Sequence, residues 1–202
     1  MTGTESTGAA RPPILVLVLA AAFLLLVAAL VMGSLRSPDL PPYSPTTPAP
    51  AAVGDSLVGP ALYTVDASGG DEWRRFDFGA NSLVTVGESW DLAFHRNHVI
   101  AGPGGAVVDL GAVAFDSLFE APAEGYRPNG PAHWESNPGV GKWYEYSFIS
   151  HLLTSRGHVY AVRSGDGHYA KLELLNYYCV GVGAGCITFR YTYQGDGSRR
   201  LR

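Results

Sequence analysis

His158-Val159-Tyr160-Ala161-Val162-Arg163-Ser164-Gly165-Asp166-Gly167-His168-Tyr169-Ala170-Lys171-Leu172-Glu173-Leu174 opens the last quarter of the chain. Leu175-Asn176-Tyr177-Tyr178-Cys179, a glycine-rich gap and Cys186-Ile187-Thr188-Phe189-Arg190-Tyr191-Thr192-Tyr193-Gln194 complete it. Three alternating runs joined by two tight turns predict an antiparallel three-stranded meander. In the second run Ala170, Leu172 and Leu174 share one face and Tyr169, Lys171 and Glu173 the other. In the third, Ile187, Phe189, Tyr191 and Tyr193 alternate with Thr188, Arg190, Thr192 and Gln194. The pattern predicts a sheet with one core face and one open polar face, with Arg163, Lys171 and Arg190 as a polar ladder on the latter. Gly165-Asp166-Gly167 reads as a three-residue hairpin loop.

The second turn lies between Cys179 and Cys186. A hairpin there brings the sulfurs together, so a disulfide is expected. Metal binding is the weaker alternative, because two cysteines without a nearby histidine or third cysteine make a poor site. No other metal site is expected.

Upstream, short runs rich in β-branched and aromatic residues recur at 61–65, 73–78, 83–86, 89–95 and 107–110, separated by turn clusters such as Ser68-Gly69-Gly70 and Gly102-Pro103-Gly104-Gly105. Such spacing indicates an all-β sandwich or barrel. Residues 120–141 are rich in proline and glycine and form a long loop, a kind of segment that is commonly functional. An aromatic strand follows at 143–148, and 150–156 is expected to form a short helical turn before the meander.

The amino-terminal part is of another kind. Ile14 to Met32 carries no charge over nineteen residues, roughly 28 Å of helix and close to the hydrocarbon thickness of a bilayer. That run is longer than a signal-peptide core, and Gly33-Ser34-Leu35-Arg36 is a poor cleavage site. The expected organisation is a cytoplasmic tail over 1–11, a transmembrane helix over 12–34, a proline-rich linker over 35–54 and an extracytoplasmic β domain over 55–202. The prolines at 38, 41, 42, 45, 48 and 50 stiffen the linker towards polyproline II. A disulfide requires an oxidising compartment. The sequence is thus read as a single-pass protein of a bacterial inner membrane, its body periplasmic or extracellular.

Hydrophobic residues make up 47% of the chain, charged residues only 16%, and the net charge is -4. With no basic stripe, a nucleic-acid partner is not expected. Enzyme motifs are also missing: no Gly-x-Ser-x-Gly, His-Glu-x-x-His or phosphate-binding glycine loop is present, and no catalytic residue is assigned.

The wording of several strands goes further than their periodicity. Val159-Tyr160-Ala161-Val162-Arg163, Asp166-Gly167-His168-Tyr169-Ala170-Lys171-Leu172, Tyr177-Tyr178 and Thr188-Phe189-Arg190-Tyr191-Thr192-Tyr193-Gln194 resemble the HmuY-like family. Trp90-Asp91-Leu92-Ala93-Phe94-His95-Arg96 resembles its tryptophan-aspartate strand, and Trp143-Tyr144-Glu145-Tyr146 also fits. The resemblance covers about residues 60–194. It implies an almost all-β extracytoplasmic domain and haem as the cofactor, captured through two axial side chains. The chain departs from the family in carrying an apolar span where a lipoprotein signal is usual. No histidine matches the family's axial positions, so none is carried over.

Histidine or methionine can serve haem iron. Met1 and Met32 lie outside the body, leaving His95, His98, His133, His151, His158 and His168. Across the predicted hairpin His158 lies about six residues down the strand from the level of His168, roughly 20 Å away, so the two cannot share an iron. His168 reads as a solvated turn residue. His95 and His98 end a strand and need not converge. His133, beside Trp134 in the long loop, and His151 are the haem-ligand candidates. Trp134, Trp143, Tyr144 and Tyr146 are the candidate aromatic contacts, within a wider set of exposed aromatics that includes Trp73, Tyr177 and Tyr178.

Two functions follow. One is a membrane-anchored, non-enzymatic HmuY-like binding module that takes haem. The alternative is a docking or structural subunit of a large membrane complex, such as a photosynthetic or respiratory assembly, without a haem of its own.

Overall fold

The computed structural model describes residues 13–39, 57–70, 72–132, 136–181 and 183–202. They form two compact units, one built on the helix together with Ser147–Leu152, the other on the β body. The expected proline-rich linker falls largely outside the described residues.

Helix α1 spans Ile14–Ser34. Pro13 precedes it, in a position where a missing N–H costs nothing, and its carbonyl accepts from Val16 N at 2.9 Å. The helix closes at Leu35 and Arg36, whose amides reach Val31 O and Gly33 O. It is apolar on every side and exposes every residue except Gly33. Twenty-one residues make about 31 Å, long and apolar enough to cross a membrane.

The body is antiparallel β. In chain order its strands are β1 (Leu57–Asp66), β2 (Arg74–Asp77), β3 (Ser82–Val84), β4 (Leu92–His95), β5 (His98–Ala101), β6 (Ala106–Asp109), β7 (Arg127–Pro128), β8 (Tyr144–Tyr146), β9 (Leu153–Ser155), β10 (Val159–Arg163), β11 (Tyr169–Tyr178) and β12 (Ala184–Gln194). A six-stranded sheet runs β1-β12-β11-β10-β6-β7, a four-stranded sheet β3-β2-β4-β5, and β8 pairs with β9. The meander is present as expected: Val159 pairs with Glu173, Arg163 with Tyr169, and Tyr169 with Gln194. Its first loop closes with Ser164 N on His168 O at 2.9 Å, and Gly167 takes the positive φ of 89° that the turn needs. Cys179 and Cys186 are bonded across the second turn, with Cα atoms 4.8 Å apart. Pro60 cannot donate to a ladder. It sits in edge strand β1, where the register with β12 shifts.

Aromatic side chains join the two larger sheets. Phe189 of β12 meets Phe76 of β2 edge-on at 5.2 Å and stacks on Phe94 of β4 at 5.2 Å. Phe78 lies 4.9 Å from Tyr191, whose hydroxyl donates to Phe78 O. All five are fully buried, and each contributes about 1.5–3 kcal/mol by leaving water. The hydroxyl that makes Tyr191 costly to bury is satisfied by that hydrogen bond.

Three local expectations are corrected. The polar face of the meander is not open. Residues 115–118 lie over it, and Lys171 is buried there, its Nζ donating to Phe115 O at 3.0 Å and Leu118 O at 2.9 Å. A lysine stem covers apolar surface while its ammonium finds backbone carbonyls, so alternation alone does not reveal which polar residues are covered. Residues 150–156 form no helical turn; Leu153–Ser155 pair with Tyr144–Tyr146 as a hairpin, because tertiary pairing overrides weak local preference. Strand β5 was not expected. It turns back from β4 through Arg96 and Asn97 without a glycine, Arg96 taking a φ of 51°.

Candidate functional site

A cleft of about 540 Å³ opens in the β body. The turn between β4 and β5 supplies Asn97, the start of β5 supplies His98, β6 supplies Asp109, and the long loop supplies Arg127, Ser136 and Gly139. Lys142, Tyr144 and Arg156 close it.

Two asparagines build its loop wall. Asn137 is fully buried. Its amide donates to Arg127 O at 2.9 Å and to Asn129 Oδ1 at 3.0 Å, while its own Oδ1 accepts from Gly139 N at 2.8 Å. Its backbone accepts from Val140 and Gly141 and donates to Val99 O. Asn129 in turn brackets the end of β5, accepting from Ala101 N and donating to Ala101 O. The loop is therefore stitched to β5 by side-chain amides in place of a ladder. Gly139 passes so close to β6 that a Cβ on it would fall 2.2 Å from Val107 O. Opposite, Trp143 Nε1 donates to Asn97 O at 2.9 Å and Asn97 Nδ2 donates to Tyr144 Oη at 2.7 Å, fixing the β4–β5 turn.

The cleft holds three permanent cations, Arg127, Lys142 and Arg156, against one carboxylate. That carboxylate, Asp109, is engaged by His158 Nδ1 at 3.0 Å. Arg156 is aimed by a bond to Lys142 O at 3.3 Å and by Glu145 at 3.9 Å. Burial, with a smaller contribution from neighbouring His95, pushes the His98 imidazole below its ordinary value, so it is neutral at neutral pH. Its Nδ1 lies 3.4 Å from Ser136 Oγ, which also accepts from Val99 N. With the proton on Nδ1 facing that oxygen, Nε2 keeps its lone pair. The arrangement suits an anionic ligand that also offers an electron-pair acceptor to nitrogen.

A second recess of about 190 Å³ is acidic, lined by Asp77, Glu88, Asp91 and Asp166 with Trp90 and Tyr193. Burial drives Asp91 up to about 7 despite its bond from Phe78 N, and Asp77 and Asp166 add to the rise.

Of the residues singled out in the sequence, His133 and Trp134 lie outside the described residues; Ser136, the next described residue, lines the cleft. Tyr144 lines it as well. His151 is exposed at the tip of the β8–β9 hairpin, within the helix-containing unit, and is not part of the cleft wall. Tyr146 is exposed beside that tip. The expectation of an exposed Trp143 is corrected: it is 1% exposed, its ring in the core and its one donor spent on Asn97. Tyr177 and Tyr178 are buried too. His168 is partly buried between Asp166, 3.0 Å away, and Tyr193 Oη at 2.8 Å, and is not a free turn residue. Sequence reasoning set His98 aside and missed Asn129, Asn137 and the three cations. His98 follows a two-residue turn, Arg96-Asn97, that has no glycine and puts Arg96 at positive φ, and loop asparagines carry no periodic signal.

No protein-family model and no curated protein matches the sequence. Solved structures do match it. The apo HmuY analog of Tannerella forsythia superposes with a TM-score of 0.56 at 16% identity, over 66% of this chain and 94% of its own. A provisionally named HmuY-like haem-binding protein of Bacteroides vulgatus gives 0.56 at 21%, over 70% and 93%. A provisionally named lipoprotein of Bacteroides fragilis gives 0.58 at 18%, over 70% and 92%. Likeness at this identity speaks for architecture, and it spans nearly the whole of each neighbour: the chain has the HmuY-like fold.

Proposed function

We propose that the chain is a membrane-anchored, non-enzymatic module that binds haem in the cation-lined cleft. The reading is carried by one observation, a neutral imidazole, His98, set among Arg127, Lys142 and Arg156 in a cleft of ligand size. Haem presents an iron that accepts nitrogen and carboxylates that pair with cations. The donor set fits both. His98 would hold the iron through a ring nitrogen, and Arg127, Lys142 and Arg156 would hold the carboxylates. The described wall offers little apolar surface for the macrocycle beyond Pro138 and Tyr144. On the sequence alone, His133 and Trp134, three and two residues before Ser136, would be a further nitrogen donor and an apolar contact for haem. The HmuY-like fold and the neighbour named for haem binding support the ligand class. Haem supplies iron and a chromophore; the chain's residues bind and orient it.

In the same reading α1 is an uncleaved span of a bacterial inner membrane. The β body then lies on the periplasmic side, where the Cys179–Cys186 bond is stable.

Titration of the full chain in detergent with micromolar haem tests the binding. A saturable Soret shift is expected. No spectral change would overturn the reading.

A further inference from the structure

The β8–β9 hairpin ends in side chains that water does not favour. Phe148 is 80% exposed and Ile149 60%. Tyr146-Ser147-Phe148-Ile149-Ser150-His151-Leu152 contains no Asp, Glu, Lys or Arg. The turn satisfies part of its own backbone, with Ser147 N on Leu152 O at 2.9 Å, His151 N on Ser147 O at 2.8 Å and Ser150 N on Ser147 Oγ at 3.2 Å. An uncharged turn with internal hydrogen bonds meets the first demand that lipid makes of a backbone.

Ser147–Leu152 belong to the same compact unit as α1. Gly33, one residue before the end of that helix, is its one buried residue. A Cβ there would fall 2.2 Å from Ile149 O and 2.7 Å from Ile149 Cγ2. The tip thus packs where the apolar run of α1 stops and where Arg36 and Asp39 begin. In a spanning helix that level is the boundary between acyl chains and headgroups, the zone that tyrosine and other amphipathic rings prefer.

We propose that the β8–β9 tip, led by Phe148 and Ile149, is a second membrane contact, seated in the lipid interface beside the end of α1. The inference rests on the reading of α1 as a membrane span. Lipid is the occupant because the chain itself places this tip against the end of its apolar helix. Charge returns only behind the tip, with Glu145 and Arg156, 3.9 Å apart across the hairpin.

The test uses the full chain in vesicles of phosphatidylethanolamine and phosphatidylglycerol. Both native cysteines are bonded, so an introduced thiol can be labelled alone with an environment-sensitive NBD dye, under non-reducing conditions. Phe148→Cys reports the tip and Leu24→Cys the helix; both positions are exposed, so the fold is not at stake. Blue-shifted emission at both, quenched by doxyl-labelled lipid, supports the proposal. A lipid-shielded Leu24 probe with a water-exposed Phe148 probe overturns the tip contact and leaves the anchor standing. Water exposure at both overturns the anchor reading and this inference with it. A Phe148 probe that is shielded only in native membranes, and not in pure lipid, overturns the lipid assignment in favour of a protein partner.

Discussion

Asn137 Nδ2 donates to Asn129 Oδ1 across 3.0 Å, and Asn129 in turn brackets Ala101 at the end of strand β5. Neither side chain faces the ligand space by itself. Together they set the course of residues 136–141, which form one wall of the cleft. A loop without a ladder must satisfy its buried backbone in some other way, and an asparagine offers two donors and an acceptor for that purpose. Replacing Asn137 with Ala leaves Arg127 O, Asn129 Oδ1 and Gly139 N without it. The expected loss is about 2–4 kcal/mol of stability, since each buried polar group left unpaired costs about 1–3 kcal/mol. Urea unfolding measures this, and a midpoint equal to that of the parent would show that the wall is held by other contacts.

The strands were legible because their side chains alternate, and the first hairpin of the meander was legible down to its register because Gly165–Gly167 fixes its loop; the register shifts of the second pairing, between Leu174 and Tyr178, leave no mark in the alternation. What the sequence concealed is of two kinds. Lys171 alternates as a surface residue should, yet residues 115–118 fold over it, and a covering segment leaves no trace in the strand it covers. Trp143 reads as a contact residue because aromatics serve cores and sites alike; its near-complete burial decides for the core. The cleft itself gathers Asn97, Asp109, Arg127, Lys142 and Arg156 from distant segments. No spacing rule connects residues that converge only through sheet order.

Asp91 gives the fold a pH dependence. Its folded value, about 7, is raised from an ordinary 3.8, chiefly by burial. A raised carboxyl binds its proton more tightly in the folded state, so stability is highest below the ordinary value and falls as pH rises from about 4 to 7. The span of the shift corresponds to a loss on the order of 4 kcal/mol, at about 1.4 kcal/mol per pH unit. Asp91→Asn keeps an oxygen for Phe78 N and cannot ionise. Stability measured by denaturant between pH 4 and 7 should fall in the parent and be flatter in the variant. Parallel pH profiles would remove Asp91 from the explanation.

The disulfide closes a short loop at the far end of β11 and β12. Cys179 N reaches Gly183 O at 2.7 Å, so the turn has a backbone bond of its own. Reduction, or the double change Cys179→Ala and Cys186→Ala, should therefore loosen the turn without unfolding the sheet. In the chain-entropy model a loop of about eight residues accounts for about 2.5 kcal/mol. Denaturant melts with and without reductant should differ by about that amount in the parent and not at all in the double variant.

His98 carries the proposed ligand chemistry, and two measurements separate that role from packing. His98→Ala should lower haem affinity at least tenfold, about 1.4 kcal/mol, while His151→Ala should leave it unchanged, because His151 belongs to the hairpin tip. The second measurement is the pH profile. Burial lowers the His98 value below the ordinary 6.5, so the folded imidazole stays neutral at pH values where a free one would be charged. Haem binding through it should persist below pH 6.5 and be lost only as pH falls through the depressed value, since a protonated ring has no lone pair for iron. Lys142→Ala, which removes a cation but no nitrogen ligand, should weaken binding without moving that pH midpoint. If His98→Ala binds haem as the parent does, with the same profile, another side chain holds the iron and the cleft assignment fails.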